Sequence, residues 1–159
     1  MVNIEAEIKA YLESALLTRI SKYYTGEVKV IPRSYLPALS VMGTETNVVA
    51  KTTASDRNEW KITITVIAAL TDYLDEAGTE LVIKSDNDLK KIMEERNADG
   101  TYKTNTVLYA LRHTLRGTSF KFNNDIRLTY RVPENPEFPY CRATCEVTAF
   151  SDLILRTLS

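Results

Sequence analysis

The segment EWKITITVIAAL, residues 59–70, constrains the fold of this chain more than any other stretch. Trp60, Ile62, Ile64, Val66, Ala68 and Leu70 alternate with Lys61, Thr63 and Thr65, the period-2 pattern of a strand that buries one face. Ile67 and Ala69 are apolar on the opposite face, so the far end of this strand is expected to be covered on both sides. A sheet of this kind needs a second layer, and the N-terminus supplies one. Ile4, Ile8, Tyr11, Leu12, Ala15 and Leu16 recur at helical spacing, with Asn3 placed to cap and Glu5 and Glu7 in the first turn. Ile20 continues the stripe, which predicts a helix running on as far as Gly26.

The remaining elements follow from the same two periodicities. Glu27 to Ile31 reads as a short strand ending at Pro32, and Arg33 to Pro37 as a loop, because two close prolines remove donors from any ladder. Leu39 to Ala50 is a further strand, joined to the 59–70 strand by the polar linker Lys51 to Asn58. Ser85 and Asp88 have the spacing of a capping box ahead of a short helix carrying Leu89, Ile92, Met93 and Arg96. Asn97 to Gly100 is a turn, Thr104 or Asn105 is placed to cap the next helix, and Val107, Leu108, Leu111 and Leu115 share an arc of about 100° before Gly117 stops it. Two alternating strands close the chain, one with Ile126, Leu128, Tyr130 and Val132 inward, the other with Cys141, Ala143, Cys145, Val147 and Ala149 inward. PENPEFP, residues 133–139, connects them. Strands are grouped rather than alternated with helices, which predicts one α+β domain over 1–159: a mainly antiparallel sheet of about four to five strands packed against the N-terminal helix and two central helices. Trp60 and Leu111 are expected in its core.

Chemistry is harder to find. Twenty basic and twenty-one acidic residues leave a formal charge of -1, so no bulk attraction for a phosphate backbone or an anionic membrane arises. No run of about 18 apolar residues is present, and the N-terminus lacks a signal-peptide pattern, which implies synthesis in the cytoplasm. Cys141 and Cys145 are the only cysteines; four residues apart on one strand, they lie about 13 Å apart on the same face, too far for a disulfide and placed as buried thiols. His113 is the only histidine, and on its helical wheel it faces away from the apolar arc. The five glycines form neither GxGxxG nor GxxxxGK[ST]. Asp72, Asp75, Glu76 and Glu80 lack EF-hand spacing and read as a solvated acidic loop, with a divalent-metal loop as the sharper alternative. Lys90, Lys91, Arg96, Arg112 and Arg116 are interrupted by Asp88, Glu94 and Glu95, a mixed-charge surface rather than a nucleic-acid patch. With no catalytic residue, metal or cofactor indicated, the sequence points to a protein that binds other proteins. Several tyrosines, among them Tyr35 and Tyr140, fall in loops or at element ends, positions that suit an interface.

The helix IEAEIKAYLESALL, the strand EWKITITVIAAL, the helix pair DLKKIMEERN and TNTVLYALRHTL, and the strands IRLTYRV and CRATCEVTAF together resemble the tail terminator (tail completion) proteins of long-tailed bacteriophages and related head-to-tail neck proteins. The resemblance spans nearly the whole chain and is one of pattern and length, without a diagnostic motif. It implies a virion protein of the tail or neck, assembled as a hexameric ring that caps the tail tube and meets the head connector, with no catalytic residues to transfer. Another neck protein, or a small metal-dependent hydrolase using the 72–80 acidic loop, is the alternative. A ring built from heterologous contacts needs two different patches per subunit. The expected contacts are Tyr35, Leu36 and Pro37 in the first loop, Arg57 in the linker, Pro136, Phe138 and Tyr140 in the hairpin, and Leu153, Ile154, Leu155 and Leu158 at the C-terminus.

Overall fold

A computed structural model describes residues 3–26, 31–50, 56–69, 89–113, 120–123, 125–131 and 140–153. Helix α1 covers Ile4–Leu16; Asn3 caps it by accepting the Ala6 N–H at 3.1 Å, and Ile4, Ile8, Tyr11, Leu12 and Leu16 form its buried face. It stops well before Gly26. Leu17 takes a left-handed backbone (φ 51°), directs its N–H to the Glu13 carbonyl, and leads into the 3-10 turn Leu17–Arg19. Ile20 is buried as the apolar stripe predicts, but from an extended backbone. Burial there is achieved by the chain turning toward the sheet rather than by a fifth helical turn.

The strands are β1 (Lys22–Thr25), β2 (Ala38–Ala50), β3 (Asp56–Ala69), β4 (Lys121–Phe122), β5 (Arg127–Arg131) and β6 (Tyr140–Leu153). They form one six-stranded sheet in the order β1-β2-β3-β6-β4, with β5 also on β6. The α+β class is as expected, but the sheet is mixed: β1 runs parallel to β2, and the other pairs are antiparallel. A parallel pair requires a crossover connection, and the 3-10 turn Arg33–Tyr35 lies between β1 and β2 in the chain. Of the predicted strand over 27–31 only Ile31 is described, and it is buried. The predicted linker ends earlier than expected, since Asp56, Arg57 and Asn58 already pair with Ala50, Val49 and Val48. Polar composition misled here because the outer end of a strand that no described helix covers carries no burial pattern.

Period-2 alternation assigns the faces. Ile62, Ile64, Val66 and Ala68 of β3, flanked by Leu39 and Val41 of β2 and by Cys141, Ala143, Cys145 and Val147 of β6, meet α1, α2 (Leu89–Glu94) and α3 (Val107–Arg112) in the main core. Both cysteines are fully buried, and neither is in a disulfide. The opposite face is lined by Ser40, Met42, Thr63, Thr65, Thr129 and Thr144, and no described helix lies over it. An apolar corner forms where Ile67 packs with Ile31 and Ala38, with Tyr24 and Leu36 at the rim, so the β3 end is covered on both faces at Ile67, as expected.

Two details hold the helices in place. Thr106, rather than Thr104 or Asn105, caps α3 by accepting the Tyr109 N–H at 3.2 Å. The turn Asn97–Gly100 closes as predicted, with the Gly100 N–H on the Asn97 carbonyl at 3.0 Å and Gly100 at φ 90°, a region that a residue without Cβ enters freely. Ser85, Asp88, Leu115 and Gly117 lie outside the described residues.

Candidate interaction surface

The outer halves of β2 and β3 continue with the end of β6 as an arm, which β4 flanks at Ala149 and Phe150. A register shift between Gly43 and Glu45 marks its root. Gly43 sits there beneath α1: its N–H donates to Glu5 Oε1 at 2.9 Å, and a Cβ at this position would stand 3.3 Å from the same oxygen. Beyond the bulge, residues 44 to 48 are all exposed, and Val48 is 55% exposed. β1 reaches only as far as Val41, so among the described residues the outer edge of β2 from Met42 onward has no strand partner. An edge of this kind is a template for another strand.

On the open face of the arm, the Arg57 guanidinium lies 4.0 Å from the centre of the Phe150 ring, and Nε contacts Glu59 at 3.4 Å. That contact is an ion pair without hydrogen-bond geometry, and it leaves Nε buried with no hydrogen-bond acceptor. Closer to the domain body the face dips into a cleft of about 450 Å³ lined by Thr44, Lys61, Thr63, Asp125, Arg127, Glu146 and Thr148, with the Ile62 and Val147 positions at its base. Arg127 stands directly opposite Glu146 across the β5–β6 pair. Lys61 reaches Glu45 at 3.1 Å, whereas Asp125, Arg127 and Glu146 make no ion pair among the described residues. Uncommitted charges of both signs over a floor of threonine hydroxyls suit a partner that is itself both polar and charged.

At the other margin of the sheet, Tyr35 is 44% exposed, and the Lys22 ammonium lies 5.6 Å from the centre of its ring. Leu36 is half-buried against the second apolar cluster, and Pro37 is buried, its carbonyl accepting the Ser21 N–H at 2.8 Å. Of the three residues expected to make contacts in this loop, Tyr35 is therefore the one that faces solvent. Arg57 belongs to a strand rather than to a linker. Tyr140 and Leu153 are the first and last residues of β6, while Pro136, Phe138, Ile154, Leu155 and Leu158 lie outside the described residues. Sequence reading did not single out the cleft. Its only trace there is the polar half of each alternation, Thr63, Arg127, Glu146 and Thr148, and nothing local says that these positions adjoin.

A second depression lies between the end of α1 and the α2–α3 connection. Arg19 spans it, donating to Glu95 Oε1 and to Asn105 Oδ1, both at 2.8 Å, while Lys103 approaches Glu95 Oε2 at 3.4 Å. The Arg19 guanidinium, hydrogen-bonded to Glu95, is the main cause that holds this carboxyl below its usual range. Because every one of these groups is engaged by another, the cluster reads as a clamp between helices rather than as a receptive site.

His113 is exposed, follows α3, and stacks on Tyr109 with ring centres 4.2 Å apart. Both cysteines lie buried in the β6 core while the His113 ring is exposed, and burial, helped by Glu146, pushes the Cys145 thiol up to about 12. Asp72, Asp75, Glu76 and Glu80 lie outside the described residues. Among the described residues no group of three or more His, Cys, Asp or Glu is placed to share a metal, and no helix is long and apolar enough to cross a membrane. What the fold defines at this level is an α+β architecture whose mixed sheet carries helices on one face and, among the described residues, none on the other. No family model matches the chain, and none of the curated proteins matches it in sequence.

Proposed function

We propose that this chain is a structural subunit of a bacteriophage tail or neck, assembling as a ring that caps the tail tube and joins it to the head connector. The observation that carries the reading is the open face of the sheet: a polar surface, continued into the exposed arm, lies on the side opposite the helices. Surfaces of this kind, mixed in polarity and charge, are the material of protein interfaces. The order of elements on which the resemblance rests, helix, strands, helix pair, strands, is also the order found in the fold. Its partners on this reading are further copies of itself, the tail tube protein and the connector, and its place is the virion.

Negative-stain electron microscopy of the purified chain, alone and mixed with tail tubes, tests the proposal. Rings, and rings seated at one end of the tubes, are the expected result. A chain that stays monomeric at every concentration and leaves tube ends bare would overturn it.

A further inference from the structure

We propose that the cleft on the open face is a socket for the Lys22–Tyr35 corner of a second copy of this chain, so that each subunit carries both halves of a head-to-tail contact. The corner offers an aromatic ring with a polar tip and an ammonium group held beside it, a pairing that cation–π attraction keeps together. The socket offers the complement: the carboxylates of Asp125 and Glu146 for the ammonium, and Arg127 with the hydroxyls of Thr63 and Thr148 for the phenol. At about 450 Å³ it lies within the size range of sites that enclose small groups.

Position decides against a subunit filling its own socket. Lys22 is in register with Ala38, Ile67 and Arg142, so Glu146 in the socket lies three strand spacings across and four residues along the strands from it, roughly 19 Å away. Both patches belong to the open face, because Lys22 is in register with Ala38, which packs with Ile67 on that face, and Arg127 is in register with Glu146. A corner at one margin and a socket displaced from it are complementary rather than identical patches; joined head to tail they make a heterologous contact, which closes into a ring if the rotation permits. The closed ring rests on the function proposed above; the contact itself is separately measurable.

Sedimentation velocity on the full chain and two variants tests it. The parent chain should sediment as an assembly larger than a dimer. Tyr35→Ala removes the corner and Glu146→Lys inverts the socket; both positions are exposed, so melting temperatures should hold while association weakens on the order of tenfold or more. An equimolar mixture of the two should stop at pairs, because each pair retains only one intact corner and one intact socket. If Glu146→Lys lowers the melting temperature, Asp125→Lys, which lies outside the strands, takes its place. Variants that assemble as the parent does, or a mixture that stays monomeric or reaches full size, would sink the socket and leave the ring standing. A parent chain that remains monomeric or halts at a dimer would sink both.

Discussion

The Tyr11 hydroxyl donates to the Ala110 carbonyl at 2.5 Å, joining residues 99 apart in the chain, and lies 3.2 Å from the His113 carbonyl. Both acceptors belong to the last turn and cap of α3, where carbonyls lack partners within the helix. One hydroxyl carries one proton, so the shorter contact is the bond. The Tyr11 ring also meets Phe120 edge-on at 5.9 Å, and α1 thereby holds α3 by a polar tip and an apolar body at once. Tyr11→Phe keeps the ring and strands the Ala110 carbonyl; it should cost about 1–2 kcal/mol. The midpoint of urea unfolding should fall with the slope unchanged, and an unmoved midpoint would show that water replaces the hydroxyl without loss.

The clamp of Arg19 on Glu95 should make the link between α1 and the α2–α3 connection sensitive to acid. The folded-state pKa of Glu95 is lowered, so its contribution is present above the ordinary carboxylate range and is lost as pH falls through the folded value. Glu95→Gln should therefore lower stability at pH 7, by about 1 kcal/mol for a pair as sheltered as this one. The gap between parent and variant should narrow on titration from pH 6 to pH 3. A constant gap across that range would assign the effect to packing instead.

Alkali should destabilise the fold through groups that the interior keeps protonated. The Cys145 thiol is raised to about 12 by burial and by Glu146, and the Tyr23 phenol to about 12 by burial and by Glu13. Unfolded, these groups ionise near 8.5 and 10. Raised folded values mean stability that is intact below the unfolded values and drains away as pH climbs toward 12. Urea midpoints should decline from about pH 9 upward, less steeply in Cys145→Ala. In the native state at pH 8 neither thiol should react with Ellman's reagent until urea unfolds the chain; rapid labelling would contradict their burial.

Core and arm should respond differently to truncation. Leu12 and Ile64 are fully buried in the main core, and replacing either with Ala should cost about 2–5 kcal/mol through the cavity left behind. Val48→Ala on the arm should change stability by less than about 0.5 kcal/mol. Trp60, expected from its alternation to be a core residue, is only half-buried at the rim of the cluster, so Trp60→Ala should fall below the range for the core pair. Thermal melts of the four variants check the order; a Val48 variant as damaged as Leu12→Ala would mean that the arm is packed against something.

Local chemistry wrote the elements into the sequence, and long-range geometry arranged them. The alternation in 59–69, 126–131 and 141–149 predicted strands and, Trp60 apart, which residues face the helices, because a side-chain period of two follows from the backbone alone; Leu70 and Val132 lie outside the described residues. Asn3 and the 97–100 turn were legible for the same reason: a cap and a turn are settled within four residues. Which strands adjoin, and in which direction, depends on contacts between distant segments. No local pattern announced that Lys22–Thr25 would lie parallel to β2, that β4 and β5 would share one side of β6, or that Tyr11 would cap α3. The open-face cleft is of this second kind. Its residues come from β2, β3, β5, β6 and, at Asp125, the approach to β5, each an ordinary polar position in its own segment, and only the pairing of those strands gathers them.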